Sequence, residues 1–303
     1  MERKVFKVEQ TDANQRVDKF LAKNLSEFSR EYIKVLCKQN YVKVNSKSVQ
    51  PDYRLSVADE VEVLLPNRTD YILNKNVEIE FLYEDEYLAV INKPAFLKVH
   101  PAKKLDTDLT LIDLLYNKVP VEKDLRWSLG RPFLVHRLDK ETSGVLIIAK
   151  TPQAQFLLAK QFQERKVKKV YRAICKGKLN ISSGEIIAPI KKEKNISKVA
   201  ELGKEAKTLF KVLAKNKEYL YLELYPITGR THQIRTHLKF VGAPIIGDVR
   251  YAGVSEIDGK KIPRTILHAY SIEFYHPWRK QCLNIQAPLP EDFQFFLSYL
   301  SLA

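Results

Sequence analysis

Asp139 is an acidic residue of chemical interest in a strongly basic chain, within the stretch VHRLDKETSGVLIIAK at residues 135 to 150. The neighbouring segments PFLVHRL and GVLIIAKT have the composition of buried strands, so we predict that Asp139 lies on a loop between two strands. Reactive residues are often found on such loops, because rigid elements hold both ends. Taken alone, Asp139 is about equally well explained as a turn-capping or ion-paired carboxylate.

A second group of reactive side chains lies in YPITGRTHQIRTHLKFVGAPIIGD, residues 225 to 248. The pattern predicts a strand over EYLYLELY, a turn at Thr228-Gly229 and then a helix that stops at Gly242. His232 and Arg235 are close enough in sequence to share a face of that helix. An arginine there can form two parallel hydrogen bonds to a carboxylate, and paired with Asp139 it would keep the acid ionised and aim it. Arg230, just before the helix, is better placed to meet a phosphate.

Tyr171 lies inside a basic run, KQFQERKVKKVYRAICKGK, with eight Lys or Arg residues and one acid over residues 160 to 178. Basic residues interleaved with an aromatic ring suit an unstacked base held beside its phosphates. A tyrosine that packs in the core or across a strand pair is the commoner situation when such a residue is considered by itself. We predict a helix over QAQFLLAKQFQERK, which overlaps the start of the run, with Thr151 as its cap and Pro152 in its first position.

The composition favours a polyanion as partner, and nucleic acid is the first candidate. The formal net charge is +15 and hydrophobic residues make up 45% of the 303 residues, enough for a real core. Solubility is the alternative explanation of the charge. The cysteines, Cys37, Cys175 and Cys282, form no CxxC pair, so we expect no metal or disulfide framework and predict a reducing, cytoplasmic location. We predict no signal peptide and no membrane span.

The first part of the chain predicts a small separate module. QRVDKFLAKNL and REYIKVLCKQN have helical apolar spacing, Ser29 can cap the second helix, and YVKVNSKSV predicts a strand and a turn at Asn45-Ser46. Residues 13 to 50 carry eight Lys or Arg against three acids, which is either a solvated face or a phosphate-contacting patch. The residues predicted to point inward are Val17, Phe20, Leu21, Leu25, Tyr32, Ile33 and Leu36.

The rest of the chain predicts a larger domain after a break. LLPNRTDYILNKN, residues 64 to 76, interrupts the pattern with Pro, Asn and Asp. We predict a first domain over 1–66, a linker over 67–77 and a second domain over 78–303. Strand-like runs without regular helix-strand alternation predict a mixed α+β fold, with a mostly antiparallel sheet and a central cleft in the second domain.

Together these motifs resemble the RluA-type RNA pseudouridine synthases, which modify uridines in ribosomal and transfer RNA. The resemblance rests on HRLDKETSG around Asp139, KKVYRAICKG around Tyr171 and TGRTHQIRTHL around Arg235, with secondary matches at INKPAFLKVHP, GKEAKT, GDVRY, LHA and APLP. Phe96 and Ala252 depart from it, since glycine is usual at both places. Residues 14 to 66 resemble the S-four-like RNA-binding domain, through Arg16, Asp18-Lys19-Phe20, Ser29-Arg30 and VKVNSK.

The resemblance implies an isomerase that needs no cofactor and no metal. It would break the N-glycosidic bond of a flipped uridine, rotate the base and rejoin it through carbon, with Asp139 as the nucleophile or its equivalent. Tyr171 would stack on the base and could accept the carbon-bound proton, and Arg235 would orient Asp139. Implied RNA contacts are Arg137, beside the acid, and, on weaker grounds, Arg230, His232, Lys93, Lys198, Arg16, Arg30 and Lys34.

Two other classes of function compete with this interpretation. One is a non-catalytic RNA-binding or ribosome-assembly protein on the same fold; the other is a glycosidase, for which no second acid is evident. His136 and His237 are not expected to be general bases, and Ser143 lacks the sequence of a nucleophile elbow. By analogy with family members that carry the S-four-like domain, we expect large-subunit ribosomal RNA as substrate and a monomeric protein.

Overall fold

The computed structural model describes residues 2–25, 30–38, 40–65, 77–100, 110–115, 133–194 and 196–303. The chain divides into two units, one of Met1–Glu78 with His100–Arg131 and the other of Ile79–Val99 with Pro132–Ala303. Residues 67–76 of the predicted linker and the predicted cap Ser29 lie outside the described residues. None of the helices in the described ranges combines the length and apolar character that crossing a bilayer requires.

The first unit pairs helices with a small antiparallel sheet. The elements are β1 (Glu2–Lys7), α1 (Val17–Asn24), α2 (Arg30–Lys38), β2 (Val42–Val44), β3 (Lys47–Ser48), β4 (Glu60–Leu65) and α3 (Leu111–Leu115). The sheet has the order β1-β4-β2-β3, and the chain turns between β2 and β3 at Asn45 and Ser46, whose φ angles of 48° and 65° are those of a tight hairpin turn. The predicted inward residues whose side chains are described, among them Phe20, Ile33 and Leu36, are buried in one cluster.

The second unit is built on a ten-stranded sheet with two small hairpins apart from it. The strands are β5 (Glu80–Glu84), β6 (Leu88–Lys93), β7 (Phe133–Leu134), β8 (Ser143–Ala149), β9 (Lys168–Lys176), β10 (Ser183–Ile187), β11 (Ile190–Glu193), β12 (Ile196–Val199), β13 (Lys207–Lys215), β14 (Tyr219–Pro226), β15 (Glu256–Ile257), β16 (Lys260–Lys261), β17 (Leu267–His276) and β18 (Gln281–Gln286). The order in the large sheet is β10-β13-β14-β9-β17-β8-β6-β5, with β7 added to β8 and β18 added to β17, and the hairpins are β11–β12 and β15–β16. The described strand pairs are antiparallel except β8 with β17, so the predicted mixed α+β fold with mostly antiparallel sheet is confirmed.

Three helices cover this sheet: α4 (Pro152–Gln163), α5 (Gln233–Phe240) and α6 (Glu291–Tyr299). The Thr151 hydroxyl accepts a hydrogen bond from Ala154 N at 3.0 Å, and Pro152 occupies the first turn, so the predicted cap is confirmed. Helix α5 packs Ile234 and Leu238 against apolar residues of β9 and β14. It ends before Gly242, whose φ of 75° fits the predicted stop.

The predicted buried strand over PFLVHRL is wrong beyond its start. Strand β7 covers only Phe133–Leu134, both half-buried, and pairs with Ile148 and Ala149 of β8. One step further on, His136 Nε2 accepts the hydrogen bond of Ile147 N at 2.9 Å. The His136 side chain thus accepts the hydrogen bond that a backbone carbonyl would accept if β7 continued. The loop that carries Asp139 therefore begins at residue 135.

Candidate active site

A cavity of about 540 Å³ in the second unit brings the three predicted catalytic residues together. Asp139 enters it from the loop between β7 and β8, Tyr171 from β9, and Arg235 from α5. The predicted RNA contacts Arg137, Arg230 and His232 also line it. So do Arg165 and Lys169, two cations of the basic run that sequence reasoning did not single out.

Gly144 fixes where the Asp139 loop rejoins the sheet. Its φ is +111°, and a Cβ there would lie 2.1 Å from the Ala269 carbonyl oxygen of β17. Only glycine tolerates both the backbone angle and that approach. The Thr-Ser-Gly end of the motif therefore lets β8 join β17 in parallel directly after the loop.

Arg235 joins two carboxylates. Its Nη1 donates to Asp139 Oδ2 at 3.1 Å, while Nε and Nη2 form a two-bond fork on Asp248, both at 2.7 Å. The Arg235 side chain is 9% exposed and that of Asp248 is 1% exposed. Burial opposes the charge of Arg235, but hydrogen bonding to Asp248 and the charges of both carboxylates outweigh it and raise the pKa of the guanidinium.

The sequence predicted that Arg235 could form its two parallel hydrogen bonds with Asp139. In the structure it forms them with Asp248. Sequence reasoning noted Asp248 only inside the secondary match GDVRY. A buried arginine needs a full counter-charge, which a carboxylate that is 23% exposed and faces a cleft supplies less well than a buried one. That requirement is the physical signal that could have identified Asp248.

His232 lies near the Asp139 carboxylate, at the start of α5. It occupies the N-cap position in a left-handed conformation, with φ 54° and ψ 27°, so it precedes the helix rather than belonging to its first turn. Its Nε2 lies 3.7 Å from Asp139 Oδ2, and its Nδ1 lies 2.8 Å from the Tyr251 hydroxyl. Burial lowers the pKa of His232, although the charge of Asp139 acts in the opposite direction.

Tyr251 supports both partners of Asp139. Its hydroxyl oxygen accepts a hydrogen bond from Ser197 N at 2.8 Å, and its ring centroid lies 4.7 Å from the Arg235 guanidinium carbon. The residue is 1% exposed. It follows Asp248 on the short 3₁₀ turn Val249–Tyr251, so one turn supplies supports for both Arg235 and His232.

Tyr171 lines the same cavity as Asp139. In β9 it pairs with Leu224 of β14 and Ala269 of β17, so two neighbouring strands hold its backbone. Burial raises the pKa of the Tyr171 phenol, and the negative charge of Asp139 adds to this. The phenol is therefore neutral near pH 7, which suits a stacking surface better than a proton acceptor.

The remaining predicted RNA contacts of the second unit differ in accessibility. Arg137 is exposed beside Asp139, and Arg230 donates from Nε to the Glu205 carbonyl at 2.9 Å. Lys198, 55% exposed, pairs with Glu193 at 2.8 Å on the β11–β12 hairpin. These three side chains are accessible to a polyanion in the folded protein.

Lys93 is placed differently from the prediction. It is fully buried, and its ammonium donates to the carbonyl oxygens of Pro94, Leu97 and Lys140 at 2.8, 2.9 and 3.4 Å. Burial lowers its pKa to about 7, with Arg264 contributing to the decrease. Because Lys140 directly follows Asp139, Lys93 supports the loop from below, and a buried ammonium does not contact RNA.

In the first unit, Arg16 and Arg30 share one buried acid. Both guanidiniums donate to the carboxylate of Asp18, which is 0% exposed, and their own side chains are 37% and 38% exposed. One negative charge thus orients two positive ones at the surface. Lys34 follows on α2 and is half-buried.

Three histidine or serine side chains have structural partners. His136 accepts from Ile147 N, and burial lowers its pKa to about 3. His237 lies 2.9 Å from Thr208 Oγ1 and 3.0 Å from the Ala188 carbonyl. Ser143 Oγ lies 2.9 Å from His268 Nδ1, and the other nitrogen of that ring faces the Ala287 carbonyl rather than an acid. Across the described ranges, no three His, Cys, Asp or Glu side chains form a group that could hold a metal ion.

Comparisons with known proteins identify the family of the chain. The family model described as RNA pseudouridylate synthase matches residues 87–240, and the S4 domain model matches residues 15–61. The chain belongs to the RNA pseudouridylate synthase family, and it is an isomerase of that class with an S-four RNA-binding domain before it.

Individual relatives cover almost the whole chain. A protein of Aquifex aeolicus (strain VF5) named as an uncharacterized RNA pseudouridine synthase is 38% identical, over 97% of this chain and 96% of its own. Ribosomal large subunit pseudouridine synthase C of Buchnera aphidicola subsp. Schizaphis graminum is 36% identical, over 95% and 94%. Among solved structures, human RNA pseudouridylate synthase domain containing 4 is 28% identical, with a TM-score of 0.60, over 73% of this chain and 93% of that one. The RluA-type family predicted from the motifs is thereby confirmed.

Proposed function

We propose that this enzyme converts a uridine of large-subunit ribosomal RNA to pseudouridine, with Asp139 as the catalytic carboxylate. The ribosomal substrate is supported by relatives named as large-subunit synthases, C and D, at 36% identity each. The observation that carries the catalytic role is the contact of Asp139 with Arg235, which Asp248 in turn holds by two bonds of 2.7 Å.

The reaction exchanges one bond of the ribose for another. The bond from C1′ to N1 breaks, the base rotates, C1′ bonds to C5, and C5 loses a proton while N1 gains one. A carboxylate serves this exchange because it can attack covalently or stabilise an oxocarbenium-like centre. Asp139 receives both of its described side-chain neighbours, Arg235 and His232, at Oδ2, which leaves Oδ1 for the nucleotide.

A uridine inside a folded RNA reaches this cavity only after leaving its stack, at a cost of a few kcal/mol. We assign Tyr171 to stack on the flipped base, and the exposed Arg137 to fill the place that the base vacates. Arg165 and Arg230 lie where they can hold the flanking phosphates at the cavity wall. The arginines of the S-four domain add sequence-independent affinity.

Asp139→Asn tests the catalytic role. The amide keeps the shape of the side chain but is a poor nucleophile, so we expect product formation to fall by at least about a thousandfold, with RNA binding nearly unchanged. Pseudouridine is measured in ribosomal RNA incubated with the enzyme, and affinity by fluorescence anisotropy. Asp258→Asn, an equal change in the β15–β16 turn, is the control. Full activity of the Asp139 variant would remove Asp139 from the chemistry.

A further inference from the structure

The hydroxyl of Tyr251 determines which nitrogen of His232 carries a proton. Within the described part of the chain this oxygen has two hydrogen-bond neighbours, Ser197 N and His232 Nδ1, each at 2.8 Å. The backbone N–H of Ser197 can only donate. The phenol must therefore place its own proton on the remaining neighbour, Nδ1, because a buried O–H without an acceptor is costly.

We propose that Tyr251 fixes the tautomer of His232, so that the imidazole presents its Nε2–H to the Asp139 carboxylate as a positioning donor beside Arg235. A neutral imidazole whose Nδ1 accepts has its proton on Nε2, the atom that lies 3.7 Å from Asp139 Oδ2. That distance is longer than a hydrogen bond, and such contacts tighten when substrate closes a site.

The surroundings keep the ring neutral. Burial is the largest cause that lowers the pKa of His232. The charges of Arg235 and Arg250 lower it further, while those of Asp139 and Asp248 act in the opposite direction. A protonated ring would donate from both nitrogens, so Tyr251 Oη would accept from both Ser197 and His232, and the proton of the phenol would have no acceptor between these two neighbours. A neutral ring avoids this conflict and gives Asp139 a hydrogen-bond donor without a second full positive charge.

Tyr251 is also the one described residue that contacts both partners of the acid through different parts of its side chain. Its ring lies against the Arg235 guanidinium at 4.7 Å, while its hydroxyl reaches His232. Arg235 and His232 converge on the same atom, Asp139 Oδ2. Tyr251 thus acts as a positioning residue, through its ring on one partner and through its hydroxyl on the other.

Nitrogen NMR of the full-length protein with ¹⁵N-labelled histidine reads the tautomer directly. The signals of His232 among the six histidines are identified by their loss in His232→Gln. At neutral pH we expect a pyridine-type Nδ1 and a pyrrole-type Nε2, and in Tyr251→Phe a rise in the Nδ1–H form. A pyrrole-type Nδ1 in the wild-type protein, or an unchanged tautomer in Tyr251→Phe, would overturn the inference.

Steady-state kinetics test the consequence for the reaction, which rests on the proposed function. Tyr251→Phe keeps the ring beside Arg235 and removes only the hydroxyl, so kcat should fall by roughly ten- to a hundredfold, with KM changed less than about twofold. Tyr299→Phe removes the same atom from a partly exposed tyrosine that bonds Asp258, and it should leave kcat unaltered. Equal kcat in Tyr251→Phe and wild type would contradict the role of the hydroxyl.

Two substitutions of His232 separate positioning from a structural role. The amide nitrogen of Gln reaches the place of Nε2, whereas the shorter Asn reaches only that of Nδ1, so His232→Gln should be at least about tenfold more active than His232→Asn. The left-handed backbone at φ 54° favours Asn instead. A purely structural role therefore predicts the reverse order, which would overturn the inference. If the wild-type protein formed no pseudouridine, the proposed function would fail while the NMR result still decided the tautomer.

Discussion

At the scale of single residues, the site depends on the buried guanidinium of Arg235, which binds two carboxylates unequally. Arg235 gives two hydrogen bonds to Asp248 and one to Asp139. The tighter pair is buried and serves as a fixed support, and the looser one faces the cavity, where the carboxylate has to react. Separating support from chemistry in this way lets Asp139 change its charge or its bonding without leaving Arg235 unpaired.

Asp248→Asn should therefore weaken both folding and catalysis. The buried guanidinium loses its full counter-charge, and breaking such a pair costs about 3–5 kcal/mol, with the amide oxygen of Asn retaining part of the hydrogen bonding. Freed from its fork, Arg235 aims less well at Asp139, so kcat should fall by on the order of tenfold or more. Urea unfolding and single-turnover rates measure the two effects.

Glu273→Gln is the matched control for that change. It removes the same charge from an ion pair with Lys168 whose side chains are 34% and 74% exposed. Exposed pairs contribute about 0–1 kcal/mol, so stability and rate should both stay close to those of the wild type. Equal losses in the two variants would show that the Arg235–Asp248 pair has no special importance.

At the scale of elements, the loop of Asp139 is held at its end by strand geometry and from below by a lysine. Strand β8 begins at the residue pair Ser143-Gly144, and that pair lies in parallel register with His268-Ala269 of β17. Lys93, at the end of β6, donates to the Lys140 carbonyl next to the acid. The position of the carboxylate is thus set by three strands that are far apart in sequence.

Gly144→Ala should displace this loop. The left-handed φ and the approach to Ala269 O at 2.1 Å both have to change, for a cost of about 1–3 kcal/mol or more. We expect a lower midpoint of urea unfolding and a larger loss of kcat than the stability change alone explains. Gly229→Ala is the control for stability, since no atom lies within 4 Å of a Cβ built there. Wild-type stability in Gly144→Ala would contradict the proposed constraint.

Sequence predicted those elements whose information is local. The apolar spacing of α1, the cap at Thr151 and the stop at Gly242 are each written in a few neighbouring residues, and all three are confirmed. Phe96 and Ala252, the two departures from the family motif, take φ angles of 64° and 67°. The usual glycine at both places thus has a local backbone reason, which the motif alone did not reveal.

What sequence reasoning missed depends on distant contacts. The parallel pairing of β8 with β17 joins residues 125 apart, such as Ser143 and His268, and no local pattern encodes it. The contact of Asp139 with Arg235 joins residues 96 apart, and it was expected from the chemistry of the two side chains and from the family resemblance, not from a local pattern. Asp248 and Tyr251 were quoted in a motif without a role, because their function lies in what they touch. Lys93 was assigned to RNA because burial of a lysine cannot be read from its identity.

At the scale of the whole molecule, the charge excess and the two domains describe an RNA-binding enzyme. The net charge of +15 attracts a polyanion over long range. The cavity of the second unit carries Arg137, Arg165, Lys169 and Arg230. The S-four domain orients Arg16 and Arg30 through the buried Asp18. Affinity and chemistry should therefore be separable by mutation, because different parts of the chain supply them.

Arg30→Gln should weaken RNA binding without altering the chemical step. Arg16 still pairs with Asp18 in this variant, so the domain stays folded, which circular dichroism verifies. The slope of log K against log salt concentration should decrease by about 0.7–0.9 for each phosphate that the variant no longer neutralises. Fluorescence anisotropy with a ribosomal RNA fragment over a salt series measures this, and the single-turnover rate at saturating enzyme should stay within about twofold of wild type. Arg3→Gln, an equal change at a side chain that is 60% exposed and pairs with Glu62 across β1 and β4, is the control. Two outcomes would contradict this prediction: the same slope in Arg30→Gln and wild type, or an equal decrease in Arg30→Gln and Arg3→Gln. Either would mean that Arg16 and Arg30 do not form the phosphate-contacting face of the S-four domain.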